Sequence, residues 1–352
     1  MFKEEIDPEQ IAVPFIQFRP SDGFEIHPEA IKFLQKLDSP ISVIAVCGKY
    51  RTGKSYLLNK LFLDHPEETK APPKRTSSVG FEVGPTINPC TKGVWLWRSV
   101  FEADHPELGR VKAVVIDTEG LGAFDEDENH DSKIFLLALL LSSLLVYNSV
   151  GAIDENALNL LSLVINLSKN LQIKSKQGGE VDPDELANYF PTFLWVLRDF
   201  SLKLQDAEGN KISSKQYLEN ALKEQKGNSE AIEKKNRVRR LLRHFFKDRD
   251  CSTLMRPTED ESNLQILGML KDDALRPEFV EQLQLLKTKI HKKVKPKFLN
   301  GNVLSGQMLI ELAQSYVDAL NEGKVPVIEN AWKNVCTQEC SRAQKEAFSQ
   351  YE

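Results

Sequence analysis

Apolar positions in the first part of the chain fall into short β-branched runs separated by helically spaced stripes. Ile41-Ser42-Val43-Ile44-Ala45-Val46 reads as a strand, and Tyr56 to Phe62 continues with apolar residues at helical spacing. Pro28 opens a short amphipathic helix carrying Ala30, Ile31, Phe33, Leu34 and Leu37. Val94–Trp97, Val111–Ile116 and Thr192–Leu197 read as further strands. Their separation by helical or irregular sequence predicts an α/β fold, a mainly parallel sheet flanked by helices. The most apolar run, Ile134 to Tyr147, is 14 residues long and broken by Ser142 and Ser143. That is short of the roughly 20 residues needed to cross a bilayer, and it reads as a buried helix leading into a core segment.

From Gly306 the pattern changes to helices alone. Leu309, Leu312, Ala313, Tyr316 and Leu320 form one stripe, Gly323 is a stop signal, and Pro326 opens a second helix with Ile328, Ala331, Trp332 and Val335 on one side. The expected organisation is a large domain over residues 1–305 and the start of an α-helical domain over 306–352. Ala347 and Phe348 still have to be buried, so that domain is expected to continue past residue 352. Three polar connections, 65–91, 174–185 and 224–236, are longer than ordinary structural loops and are expected to be mobile without ligand.

With 352 residues and a formal net charge of -5, the chain has no overall basic field for nucleic acid or an anionic membrane. The basic cluster Lys234 to Arg249 reads most simply as a solvated helix face, since an RNA patch would need interleaved aromatics. Five cysteines (Cys47, Cys90, Cys251, Cys336, Cys340), an odd count without a secretory signal, point to a reducing cytoplasm. Cys336 and Cys340 share a helix face, but no paired His or Cys completes a zinc set, so they read as packing residues. The last residues, Ser349 to Glu352, carry no lipidation box.

The candidate chemistry lies between the first strand and its helix. Gly48-Lys49-Tyr50-Arg51-Thr52-Gly53-Lys54-Ser55 fits a phosphate-binding loop, in which backbone N–H groups and a helix N-terminus cradle the anion. Lys54 would reach the terminal phosphates and the Ser55 hydroxyl would coordinate Mg2+. The alternative is a glycine-bearing turn that binds nothing. Roughly 60 residues further on, Val111–Ile116 runs into Asp117-Thr118-Glu119-Gly120. There an aspartate would hold the metal through water, and a glycine N–H would meet the γ-phosphate. Thr91 is placed to give Mg2+ a second hydroxyl, or is a simple turn threonine. No Asn-Lys-x-Asp guanine motif occurs. Arg198-Asp199, beyond the strand Thr192–Leu197, is the best candidate for reading the base. Its carboxylate could accept from guanine N1–H and the 2-amino group, donors that adenine lacks, although from spacing alone a surface salt bridge serves nearly as well.

The chain resembles the GTPase domain of the guanylate-binding protein family, large GTPases of the dynamin superfamily. The matching segments are His27-Pro28-Glu29-Ala30, Tyr50 to Leu57, Gly80-Phe81 with Gly84 and Thr91-Lys92-Gly93, Asp117 to Gly122, Val146-Tyr147-Asn148-Ser149, and Leu197-Arg198-Asp199-Phe200-Ser201-Leu202. The resemblance covers nearly the whole chain. It implies that Arg198-Asp199 is the guanine-recognition pair, with Val196 where a threonine often starts the motif. Val83, Gly84 and Pro85, together with Gly120 and Leu121, would line the phosphates. Arg239 and Arg243, followed by Phe245 and Phe246, resemble the loop that caps the base and pairs two GTPase domains.

Small GTPases align the attacking water with a glutamine directly after the Asp-x-x-Gly glycine, a position held here by Leu121. Glu119 is the nearest substitute, and the family resemblance implies a water and hydroxyl relay through it. Arg51, inside the loop, could act as an arginine finger supplied in cis and ordered by dimerisation. Pro89 stands where the family's switch loop usually carries a serine, so hydrolysis could be slow or stop at GDP instead of continuing to GMP. The resulting expectation is a cytoplasmic, Mg2+-dependent GTPase that forms a nucleotide-dependent homodimer, with no nucleic-acid partner and a membrane or pathogen surface as a target outside this region. The alternatives are a GTP-gated interaction module with little hydrolysis, and an atlastin-like fusogen. Against the fusogen stand Glu119-Gly120-Leu121-Gly122 and the missing transmembrane hairpin.

Overall fold

The computed structural model describes residues 12–38, 40–63, 80–81, 83, 91–122, 128–161, 189–324 and 326–351. The expected connections 174–185 and most of 65–91 lie outside these residues. In chain order the elements are β1 (Ala12–Arg19), β2 (Gly23–Ile26), α1 (Pro28–Leu34), β3 (Ile41–Cys47), α2 (Lys54–Leu58), β4 (Val94–Trp97), β5 (Phe101–His105), β6 (Gly109–Thr118) and α3 (Glu128–Leu141). Then come β7 (Leu144–Val150), α4 (Glu155–Leu160), β8 (Thr192–Arg198), α5 (Ser214–Ala221), α6 (Glu230–Phe245), β9 (Arg249–Thr253), α7 (Pro277–Lys293), α8 (Gly306–Asn321) and α9 (Ile328–Tyr351), with some one-turn helices and a two-residue hairpin between them.

The strands order as β2-β1-β4-β6-β3-β7-β8-β9, with β5 pairing the outer half of β6. Strands β6, β3, β7, β8 and β9 run parallel, while β1, β2, β4 and β5 pair antiparallel. The α/β expectation holds, extended by an antiparallel edge. Burial on both faces explains why the central strands are apolar throughout. In β3, Val43, Ala45 and Cys47 face one core layer with α1, α3 and α8, while Ile44 and Val46 face the other with α2 and α7.

Sequence patterning missed β1, whose Pro14 demotes a strand; the register shifts between Pro14 and Ile16, a bulge on the flank of the sheet. It also missed β9, whose Arg249-Asp250-Cys251-Ser252-Thr253 is largely polar. The run Ile134–Tyr147 divides as expected, α3 ending at Leu141 and β7 beginning at Leu144. The connection expected over 224–236 is shorter, because Ser229 caps α6 by accepting from Ile232 N and the helix begins at Glu230. On that helix Asn236, Arg239, Leu242 and Phe245 are buried, so the basic cluster is not wholly a solvated face.

Helix α8 buries Leu309, Leu312, Ala313 and Tyr316 in the same core layer as α1 and α3. Its last residue, Asn321, donates to Phe24 O and accepts from Phe24 N, both at 2.8 Å, fastening the helix to the edge strand β2. Helix α9 buries Ile328, Ala331 and Val335 but outruns its neighbours, leaving Phe348 exposed. Cys340 is exposed and Cys336 half-buried, so of this pair neither is a core packing residue; among the described residues Cys47 and Cys251 are the buried cysteines.

Lys297 lies at the end of the sheet remote from the loop. Its backbone N donates to Ile41 O and its ammonium donates to Ser142 O at 2.7 Å, and burial pulls its pKa down to about 7. The folded pKa lies below the unfolded one, so the unfolded chain binds more protons between the two values and stability rises with pH from about 7 toward 10. Urea unfolding at pH 7 and pH 9 should show a gain on the order of 1–2 kcal/mol from this group. Lys297→Met should flatten that rise; an unchanged pH dependence in the variant would show that Lys297 does not contribute it.

Candidate functional site

The loop from Gly48 to Ser55 leaves the carboxyl end of β3 and enters α2, whose N-cap is Gly53 in the left-handed region at φ 75°. Gly48 has φ 144°, and a Cβ there would lie 2.0 Å from Asn148 O, so only glycine allows β7 to approach this closely. Arg51 is non-glycine at φ 61°. Among the described residues only Asp199 and Asn300 share that trait, so two of the three strained positions lie at the candidate site. Inside the loop Thr52 Oγ1 donates to Lys49 O at 2.7 Å, and Lys54 Nζ folds back on the same carbonyl at 3.4 Å.

Two backbone bonds join the loop to the segment after β6. Tyr50 N donates to Leu121 O at 3.0 Å, and Leu121 N donates to Gly48 O at 3.1 Å. A Cβ on Gly120 would sit 2.3 Å from Tyr50 Cα. The glycine of Asp-x-x-Gly is therefore required by loop packing, independently of any ligand.

Three oxygen-bearing side chains gather beside Lys54. Ser55 Oγ donates to Asp117 Oδ2 at 2.5 Å, Thr91 Oγ1 lies 3.4 Å from the same oxygen, and the two hydroxyls are 3.5 Å apart. Asp117 is fully buried, and among the described residues its Oδ1 has no hydrogen-bond partner. Burial pulls the Lys54 pKa down and pushes that of Asp117 up, each opposed by the charge of the other. Both groups are thus buried side by side at the foot of the loop, each disfavoured in its charged form by desolvation. The hydroxyl and carboxylate oxygens of Ser55, Thr91 and Asp117 are donors of the kind that suits oxygen-loving cations.

Glu119 is buried, and its Oε2 accepts from Gly93 N at 2.7 Å and from His130 Nε2 at 3.3 Å. Arg198 and Asp199 diverge. The Arg198 guanidinium is buried and donates from Nη1 to Gly53 O at 3.2 Å, beneath the loop, while Asp199 is exposed at φ 54°. Val83 is exposed; Gly84, Pro85 and Pro89 lie outside the described residues. Arg239 is buried in an ion pair with Glu155, and Arg243 donates to Glu224 at 3.0 Å. Phe245 and Phe246 pack in the core against Phe190 and Phe193.

Sequence reasoning assigned no role to Asn148, His130 or Asp131. Asn148 is fully buried and its Nδ2 donates to both Thr52 O and Thr52 Oγ1 at 2.9 Å. A lone amide in the apolar run of β7 was the available signal. Asp131 accepts from Gly122 N at 2.5 Å.

A parallel-centred α/β sheet with this loop and an aspartate at the end of the neighbouring strand defines a P-loop nucleotide-binding protein. The chain belongs to the guanylate-binding protein family, a family of GTPases: the model of the family's N-terminal domain matches residues 21–298, and that of its C-terminal domain matches residues 300–352. Mouse guanylate-binding protein 7 is 38% identical over 335 residues, 94% of this chain and 50% of that one. Human guanylate-binding protein 1 is 38% identical over 332 residues, covering 93% and 53%. Human guanylate-binding protein 6 is 37% identical over 330 residues, covering 93% and 49%. The chain thus spans about half the length of the curated relatives it matches.

Asn148→Ala removes both bonds to Thr52 without touching the ligand-facing side of the loop. Titration with a fluorescent guanine nucleotide and Mg2+ should show affinity weakened about tenfold, the value of one to two neutral hydrogen bonds. An unchanged Kd in a folded variant would show that Asn148 does not set the loop.

Proposed function

We propose that this chain is a large GTPase: it binds GTP with Mg2+, pairs through its nucleotide face with a second copy, and hydrolyses GTP to GDP or onward to GMP. The supporting observation is the convergence of Ser55, Thr91 and Asp117 oxygens beside buried Lys54 at the end of the loop. On this reading residues 1–305 handle the nucleotide, 306–352 begin a helical domain, and the protein works in the cytoplasm.

Backbone N–H groups from Lys49 to Ser55 bind the phosphates, and Lys54 gives its charge to the terminal ones. The residues present fit Mg2+: the Ser55 and Thr91 hydroxyls would hold it, with Asp117, whose Oδ1 has no partner among the described residues, contributing through water. When bound, Mg2+ neutralises charge developing on the phosphate oxygens. Gly120 N meets the γ-phosphate. Arg51, exposed on the loop, supplies a guanidinium to the bridging oxygen once a partner covers it. Asp199 accepts from the guanine edge, while Arg198 braces Gly53 beneath the loop. Arg243, on α6, belongs to the cap and dimer surface, while Arg239, buried against Glu155, holds that helix in place.

A second reading, a GTP-gated interaction module with little hydrolysis, is favoured by one pair of observations. Leu121 cannot align water, and the Glu119 carboxylate is already engaged by Gly93 and His130. Phosphate release measured against protein concentration separates the two: specific activity should rise with concentration for the GTPase and stay near background for the module. Arg51→Ala should keep nucleotide affinity within about twofold and cut turnover by at least roughly tenfold, the lower end for an arginine finger; an unchanged rate would remove Arg51 from the mechanism. Asp199→Asn should abolish the preference for GTP over ATP in competitive titration, and retained preference would place base reading elsewhere.

A further inference from the structure

Two consecutive residues in the first turn of α3 grip both ends of the segment Glu119–Gly122. His130 Nε2 donates to Glu119 Oε2 at 3.3 Å, and Asp131 Oδ2 accepts from Gly122 N at 2.5 Å. Between those grips, Leu121 is bonded to the phosphate loop through Tyr50 N and Gly48 O. Glu119 in turn is bonded twice to Gly93, by Gly93 N to its carboxylate at 2.7 Å and by its own N to Gly93 O at 2.8 Å. Gly93 follows Thr91 by two residues, so one short segment carries both the Glu119 contacts and the Thr91 hydroxyl.

We infer that His130 is a positioning residue for the reaction, acting through Glu119; the inference rests on the reading of this site as a GTPase. Glu119 is only 3% exposed, so water cannot replace a lost donor cheaply, and a carboxylate deprived of one would turn toward another. The nearest consequence is a turned Glu119 carboxylate, while the backbone bond from Glu119 N to Gly93 O still holds Gly93. The imidazole is itself held: it stacks on Phe24 at 5.7 Å between centroids and meets Phe18 edge-on at 5.0 Å. Phe24 is the residue whose backbone N and O are both fastened by Asn321 of α8. The donor that orients Glu119 is thereby seated on the edge strand that the C-terminal helices grip.

Shape and hydrogen bonding can be separated by two substitutions. His130→Phe keeps a ring between Phe18 and Phe24 but has no donor, while His130→Gln gives up the ring and keeps an N–H that can reach the carboxylate. Steady-state GTP hydrolysis with Mg2+, alongside thermal melts, should show kcat of His130→Phe lowered about tenfold, the usual effect of removing such an orienting partner. Its KM should stay within about twofold, since the interaction lost orients the reacting groups without holding the nucleotide. His130→Gln should recover most of the wild-type kcat even if it melts lower. A wild-type kcat in His130→Phe, or a His130→Gln enzyme as slow as His130→Phe, would overturn the inference. Failure of the GTPase reading itself is distinguishable, because the wild-type protein would then release no phosphate.

Discussion

The site depends on one close approach of backbone to backbone. Where Gly48, Tyr50, Gly120 and Leu121 meet, two strand-end segments come within van der Waals contact and exchange two hydrogen bonds. Because β3 and β6 are adjacent parallel strands in register from Ile41 with Lys112 to Val46 with Asp117, their carboxyl ends deliver the loop and the aspartate to the same edge. No side chain fits at Gly120 without pushing these segments apart, and none fits at Gly48 without pushing β7 away at Asn148. Everything else at the site is arranged around that contact: Asn148 and Arg198 brace the loop from β7 and β8, and α3 braces the segment opposite.

Electrostatics follows from the packing. A lysine and an aspartate are both buried at the foot of the loop, each disfavoured in its charged form by desolvation. The chain offers them partial relief through Lys49 O, Ser55 and Thr91, and among the described residues none partners Asp117 Oδ1. A buried polar atom without a partner costs free energy unless something supplies one. A triphosphate with a hard divalent cation has the charge and oxygen geometry to satisfy both groups together.

Much of this was legible in the sequence because the informative residues are local. A β-branched strand, glycine at fixed offsets and a lysine-serine pair define the loop within fifteen or so positions. Asp117 to Gly120 was readable for the same reason. What escaped was long-range. Asn148 is 96 residues from Thr52, and His130 takes its meaning from Phe18 on β1, Phe24 on β2 and Glu119 just past β6. Strands β1 and β9 escaped because proline and polar residues disguise them, and the divergence of Arg198 and Asp199 because adjacent residues at a strand end point opposite ways.

The contact between the two glycine-bearing segments is most directly tested by calorimetric titration of GTP with Mg2+ into the wild-type protein and Gly120→Ala. A Cβ at that position must displace Tyr50, opening the loop while leaving the sheet and both core layers intact. The account predicts saturable heat for the wild type and none for the variant at the same concentrations, with both proteins unfolding cooperatively. Equal binding by Gly120→Ala, or no heat from the wild type with either GTP or ATP, would contradict it.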